Sequence, residues 1–197
     1  SRSEARPSCS RICCSQAIKN ALKIKELSSE TEVYVLYKDI RTYGFKEDYY
    51  REAAGKGVLF VRYDDEHEPK LALENGKLQI LAWEHILKIW VPIETDLLAL
   101  SVAVVPNVDN KNLAEMLKVP LSKDGFFLEA HMKLRPLDFA TDGIFLCGLA
   151  HWPKFIEESV SQACGAVAKA STILSKKTLE AEGAVAYVDG NLCIGCG

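Results

Sequence analysis

The residues best equipped for chemistry are cysteines, and they are clustered rather than dispersed. Of seven in the 197-residue chain, Cys9, Cys13 and Cys14 stand together near one end and Cys193 and Cys196 near the other. Cys147 and Cys164 lie inside apolar segments. In Cys9-Ser10-Arg11-Ile12-Cys13-Cys14, three thiolates can converge on one site at the start of a predicted helix. The partial positive charge of a helix N-terminus lowers thiol pKa and favours the anionic, metal-binding form. Three thiolates do not close a four-coordinate centre, so a fourth ligand has to come from elsewhere. Thiolate suits zinc as well as iron–sulfur clusters, and three buried cysteines with no ligand are the plainer alternative. A Cys13–Cys14 disulfide is disfavoured because adjacent residues strain the bridge. Cys193-x-x-Cys196 with Gly197 matches the first half of the bacterial ferredoxin run. A redox pair and half a zinc site are the rival readings there.

A third constellation is Asp142-Gly143-Ile144-Phe145-Leu146-Cys147-Gly148-Leu149-Ala150-His151. A buried strand ending in Gly148, then a turn into a long Ala-rich helix, lets a backbone approach a dinucleotide closely. Alone the signal is weak, since many α/β strands end in glycine, and a lone histidine such as His151 is more often structural. No Gly-x-Gly-x-x-Gly, Gly-x-Ser-x-Gly, His-Glu-x-x-His or Walker loop occurs in the chain. An independent Rossmann domain is therefore unsupported. No residue reads as an acid–base or nucleophilic catalyst.

These groups need a scaffold, and the composition allows one. Hydrophobic residues make up 48% and charged residues 26%, as in an ordinary globular protein. A net charge of -3 without a basic stripe argues against a nucleic-acid surface. The longest apolar runs, such as Leu97 to Val105, are too short to span a bilayer. With no secretory pattern, the cysteine clusters read as metal ligands or redox thiols in a reducing, cytoplasmic setting. The chain opens without Met and stops inside a cysteine motif, so both ends read as cuts within a longer protein.

Helical spacing of Ala17, Ile18, Ala21, Leu22 and Ile24 predicts a helix from Cys14 to Lys25. Glu32 to Tyr37 reads as a buried strand, Glu47 to Ala54 as a helix ended by Gly55 and Gly57, and Val58 to Tyr63 as a second strand. That alternation is the rhythm of a parallel α/β sheet. From Pro69 to Pro92, short segments at Leu71 to Leu73, Leu78 to Ala82 and Ile86 to Trp90 predict an inserted antiparallel meander. Asn75-Gly76 is its hairpin signal. Leu97 to Val105 reads as a central strand and Asn110 to Leu117 as a short helix capped by Asn110. Gly125 to His131 and Gly143 to Cys147 read as strands, Phe155 to Leu174 as a long helix, and Ala184 to Val188 as a final strand.

Four long segments carry a family resemblance: Cys-Ser-Arg-Ile-Cys-Cys (9–14), Val-Tyr-Val-Leu-Tyr-Lys-Asp-Ile-Arg-Thr-Tyr-Gly (33–44), Gly-Phe-Phe-Leu-Glu-Ala-His-Met-Lys-Leu-Arg-Pro (125–136) and Gly-Ile-Phe-Leu-Cys-Gly-Leu-Ala-His-Trp-Pro-Lys (143–154). Together they resemble the A subunit of heterodisulfide reductase. The order of parts is similar to thioredoxin-reductase-type flavoproteins, in which a pyridine-nucleotide domain interrupts an FAD domain. The resemblance implies a pyridine-nucleotide-type portion over 1–105, the C-terminal part of an FAD domain over 106–183, and the start of a ferredoxin module over 184–197.

It also implies site residues. Cys9, Cys13 and Cys14 match ligands of a 4Fe-4S cluster whose remaining cysteine lies upstream, and Cys193 and Cys196 match the first ligands of a ferredoxin module. Gly148, Leu149, Ala150, His151 and Pro153 match the strand-to-helix turn that holds FAD. Ser161-Gln162-Ala163 resembles the stretch contacting the flavin ring. The chain departs from the pattern at Gly148-Leu149, where such flavoproteins have Gly-Asp, so the aspartate's contact falls to His151 or backbone. Lys19, on the helix that starts at Cys14, is expected to stabilise an anionic reduced flavin; a solvated surface lysine is the alternative. The implied activity is electron transfer between FAD and 4Fe-4S clusters in an oxidoreductase complex, with flavin-based bifurcation. Its partners would be the other heterodisulfide reductase subunits, a hydrogenase or formate dehydrogenase, and ferredoxin. The fragment itself is expected to be inactive and without cofactors. A sulfate-reduction paralogue, a thiol–disulfide oxidoreductase using Cys13 and Cys14, and a zinc-bearing scaffold are the competing readings.

Overall fold

The structure is a computed structural model that describes residues 7–74, 76–178 and 186–195. Its first half is a small α/β unit. Helix α1 (Cys13–Leu27) turns Ile18 and Ala21 inward and its lysines outward. Lys25 sits in the last turn and donates from Nζ to the Ser29 and Thr31 carbonyls at 2.8 and 3.0 Å, where the helix dipole favours a cation. Strand β1 (Tyr34–Tyr37), helix α2 (Lys46–Gly55) and strand β2 (Leu59–Arg62) follow. The two strands pair in parallel, Tyr34 opposite Leu59. Ile18, Ala21, Ala53 and Val58 form the buried centre, with Leu22, Val33, Val35, Ile40, Tyr50 and Phe60 packed around it.

The meander is present as strands β3 (Lys70–Glu74), β4 (Lys77–Glu84) and β5 (Ile89–Thr95), antiparallel and in that order. Glu74 pairs with Lys77 across the hairpin, and Gly76 takes the φ of +79° such a turn needs. Asn75 lies outside the described residues. The third strand starts at Ile89 rather than Ile86, because Ile86 stands in the preceding turn, exposed, where Glu84 accepts the Leu87 N–H.

Past the meander, helix α3 (Asn110–Leu117) packs Ala114 against Val119, Phe127, Phe139 and Leu146. Asn110 is the first helical residue and not its cap; its Nδ2 donates to the Gly125 carbonyl at 3.0 Å. A short 3-10 turn (Gly148–Ala150) leads to helix α4 (Ile156–Leu174), which begins where expected. Phe155, just before α4, donates its N–H to Glu158 Oε2 at 2.8 Å, which closes the first turn. Helix α4 has no buried residue, and a Cβ on Gly165 would reach Leu137 Cδ1 at 2.4 Å.

Three expected strands are corrected. Leu97 to Val105 forms none; Leu97 is 82% and Leu100 74% exposed. Among the described residues no neighbouring strand supplies a ladder to this run. It is tied instead by the Val104 N–H donating to Ser10 Oγ at 3.0 Å. Gly125 to His131 and Gly143 to Cys147 carry only the isolated bridges Leu121–Phe127, His131–Arg135 and Asp138–Phe145. Of the final expected strand, Ala184 and Val185 lie outside the described residues, and 186–188 are not strand. The architecture is thus α/β, with a two-stranded parallel sheet and a three-stranded antiparallel one among the described residues. No helix among them is long and apolar enough to cross a membrane.

Two outcomes test this packing. Ile18, 1% exposed, anchors α1; Ile18→Ala should lower stability by about 2–4 kcal/mol, read from urea unfolding midpoints. Glu158 is subtler. Burial pushes its carboxyl up, but the Phe155 N–H and Arg11 outweigh that and leave it below the usual 4.5. A carboxyl lowered by folding adds stability above its unfolded pKa and loses it as pH falls through the folded one. Glu158→Gln should therefore unfold earlier than wild type at pH 7, by under about 1 kcal/mol given its partial exposure. The difference should shrink as pH falls below the ordinary carboxylate range and through the lowered value in the folded protein, and a gap independent of pH would refute the assignment.

Candidate cofactor-binding site

Two cavities bring together six of the residues singled out by sequence. The smaller, about 110 Å³, is lined by Cys9, Cys13 and Cys14 together with Ile18, Tyr37 and Ser101. Its walls explain the apolar run after β5: Ser101 belongs to that run, and Ser10, inside the cysteine motif, anchors it. The sulfurs are close enough to perturb one another. The Cys14 thiol is pushed up, chiefly by its hydrogen bond with Cys13, then by burial and by the proximity of Cys13 and Cys9. Cys14 Sγ also donates to the Asp39 carbonyl at 3.7 Å, and the Arg11 N–H donates to Cys9 Sγ at 3.3 Å. None of the described cysteines is in a disulfide. Among the described residues no three His, Cys, Asp or Glu side chains close on a single-ion site.

The larger cavity, about 690 Å³, falls in the usual range of small-molecule and cofactor pockets, roughly 300–1,000 Å³. Phe127 and Trp152 give it aromatic surface; Arg11, Glu129, His151, Lys154, Glu158, Ser161 and Gln162 give it polar groups. A chain of hydrogen bonds runs along one wall. Gly148 N–H donates to Gln162 Oε1 at 3.0 Å, so the Gln162 amide nitrogen faces His151 Nδ1, also at 3.0 Å. The network thereby assigns the proton of His151 to Nε2, which meets Glu129 Oε2 at 2.9 Å. Burial pushes Glu129 up, yet its backbone hydrogen bond and His151 hold it below the ordinary carboxylate value. Both ring nitrogens of His151 and the Gly148 amide are therefore engaged already.

On the opposite side of the same turn, Lys154 is 7% exposed and donates from Nζ to the Gly148 and Trp152 carbonyls at 2.8 and 2.9 Å. Burial pulls its ammonium below the usual lysine value. Arg11 links the two cavities. From the middle of the cysteine motif its guanidinium reaches Glu158 at 2.7 Å, Tyr43 Oη at 3.0 Å and the Pro153 carbonyl at 3.5 Å. Burial pulls Arg11 down, but Tyr43 and Glu158 more than offset it.

Of the residues expected from sequence, Cys9, Cys13 and Cys14 share one cavity, and His151, Ser161 and Gln162 share the other. Gly148 joins the second through Gln162. Pro153 is buried and contributes a carbonyl, Ala150 accepts the Phe127 N–H, and Leu149 is 51% exposed. Ala163 and Lys19 are exposed and line neither cavity. Cys193 is exposed, its N–H on the Asp189 carbonyl; Cys196 lies outside the described residues. Sequence reading missed Arg11, Glu129, Lys154 and Glu158. Three of them sit inside the quoted motifs, and a charged residue embedded in an apolar run was the available signal.

No protein-family model matches the chain. Curated relatives do, along nearly its whole length. It is 39% identical over 195 residues to the A subunit of an H2:CoB–CoM heterodisulfide, ferredoxin reductase of Methanothermobacter thermautotrophicus, covering 97% of this chain and 29% of that protein. It is 42% identical over 193 residues to the iron–sulfur A subunit of a CoB–CoM heterodisulfide reductase of Methanocaldococcus jannaschii, covering 95% and 29%. To the A subunit of a ferredoxin:CoB–CoM heterodisulfide reductase of Methanosarcina acetivorans it is 34% identical over 191 residues, covering 96% and 23%. The chain spans less than a third of the length of these relatives. By this similarity the chain belongs to the family of CoB–CoM heterodisulfide reductase A subunits.

Proposed function

We propose that this chain is the cluster-and-flavin segment of an oxidoreductase subunit that passes electrons between FAD and a 4Fe-4S cluster in a heterodisulfide reductase complex. The observation that carries this reading is Arg11: one side chain in the cysteine motif is paired to Glu158 on the wall of the larger cavity, so thiols and cavity share one polar strut. The two-dinucleotide-domain flavoprotein fold, with portions at 1–105, 106–183 and 184–197, belongs to the same proposal.

The donor sets fit both groups. Cys9, Cys13 and Cys14 would supply three thiolates to the cluster. The hydrogen bond with Cys13 and burial push the Cys14 thiol up, and a cationic centre would favour the thiolate instead. The Arg11 N–H aimed at Cys9 is the kind of sulfur contact that tunes a cluster's potential. In the larger cavity, Phe127 and Trp152 offer apolar surface and Ser161 and Gln162 offer polar contacts to a flavin. Bound FAD would exchange electrons singly or in pairs, which a one-electron cluster cannot do alone. Glu129, His151 and Gln162 hold the wall in one arrangement, and no proton-transfer role is needed of them. Cys193 and Cys196 would begin a second, ferredoxin-type centre, and Lys19 would carry positive charge on the cluster helix. Other subunits of the complex, a hydrogenase or formate dehydrogenase, and ferredoxin are the proposed partners, with bifurcation as the proposed mode. A thiol–disulfide exchange role is weakened by Cys14, since the raised thiol is the poorer nucleophile.

The test is anaerobic expression of the full-length parent. Wild type should show flavin absorbance and an iron–sulfur EPR signal. Cys9→Ser, Cys13→Ser and Cys14→Ser should each lose roughly four iron atoms per chain while keeping flavin. Wild type with neither iron nor flavin would end the proposal, and iron-free protein whose activity is abolished by thiol alkylation would replace it with thiol exchange.

A further inference from the structure

The charged groups on the wall of the larger cavity are nearly all paired. Arg11 meets Glu158 at 2.7 Å and Glu157 meets Lys46 at 3.9 Å as ion pairs, and Glu129 accepts a hydrogen bond from the neutral His151 at 2.9 Å. Lys154 is the exception. It is more than nine-tenths buried, and no carboxylate among the described residues comes within salt-bridge distance of Nζ. A buried ammonium without a counter-charge is costly. Two of its three N–H donors are spent on the Gly148 and Trp152 carbonyls, no acceptor among the described residues takes the third, and the side chain lines the cavity. The other polar groups at this turn are committed: the Gly148 amide to Gln162, and His151 to Gln162 and Glu129.

We infer that Lys154 is the anion-receiving residue of this cavity, contacting a phosphate oxygen of the bound nucleotide beside the Gly148 turn. The inference rests on the flavin reading and makes it more specific. Glu158 and Glu129 act on the ammonium only from beyond ion-pair distance; a phosphate would supply a contacting counter-charge and accept the third hydrogen. It would also offset the burial that pulls the ammonium down. A compact ammonium suits this place, because its two carbonyl contacts fix it at the base of the turn and a point charge needs no matched fork.

The experiment uses full-length parent protein stripped of flavin and titrated with FAD, FMN and riboflavin. These carry a diphosphate, one phosphate and none. Lys154→Met should weaken FAD binding by about ten- to hundred-fold and leave riboflavin within about two-fold. FMN weakened as well would place the contact at the ribityl-side phosphate; FMN unchanged would place it at the adenylate side. Lys154→Gln separates charge from stapling, because its amide still donates to the Gly148 carbonyl. It should lose the preference for FAD over riboflavin as Met does. Equal weakening of all three ligands, or a Gln variant that keeps wild-type preference, would show Lys154 to be a staple of the turn and overturn the inference. Wild type that binds none of the three would instead overturn the flavin reading itself.

Discussion

The arrangement depends on a single side chain crossing from one motif to another. Arg11 adopts a left-handed φ of +63°, which costs an ordinary residue of order 1–3 kcal/mol. That backbone turn points its N–H at Cys9 and sends its side chain to Tyr43, Pro153 and Glu158. The ion pair alone does not offset the strain, because both partners are about one-third exposed, where such a pair contributes roughly 1 kcal/mol or less. The Tyr43 and Pro153 contacts add to the ion pair in holding this conformation. Three of the four resemblance motifs thus meet at one guanidinium. The fourth joins through Glu129 and His151.

A second constraint is electrostatic. Three thiols share a cavity of about 110 Å³, and Cys14 is pushed up chiefly by its hydrogen bond with Cys13, then by burial, and last by the charge it would share with Cys13 and Cys9. Helix α1 helps only partly. Its first turn carries no acidic residue, which leaves its positive end to Cys13 and Cys14. A protein using Cys14 as a nucleophile would be expected to lower it instead. Crowded thiols that resist ionisation until a cation arrives are the behaviour of metal ligands.

The legible parts of the sequence were those whose signal is local. Ile18 and Ala21 recur at helical spacing in α1, and Asn75-Gly76 between short apolar segments signalled the hairpin that joins β3 and β4. The runs at 97–105, 125–131 and 143–147 misled because an apolar stretch becomes a strand only when a neighbour completes its hydrogen bonds, and that neighbour is not written in the stretch itself. The same distinction divides the site. Cysteines announced themselves by spacing, whereas Lys154 and Glu158 acquire meaning only once α4 folds back on the Gly148 turn.

That turn shows why the cavity's polarity is asymmetric. The Gly148 peptide is held at both ends, its N–H by Gln162 and its C=O by Lys154, while Gly148 itself sits at φ +65°. Fixing both ends before a ligand arrives removes ordering entropy from binding. It also means that the Gly148 amide reaches a ligand only if Gln162 lets go, and that would break the contact aligning His151 with Glu129. The Lys154 ammonium needs no such rearrangement, since its third hydrogen is unspent. A turn whose N–H is already satisfied and whose carbonyl is braced by a cation meets an anion through the cation.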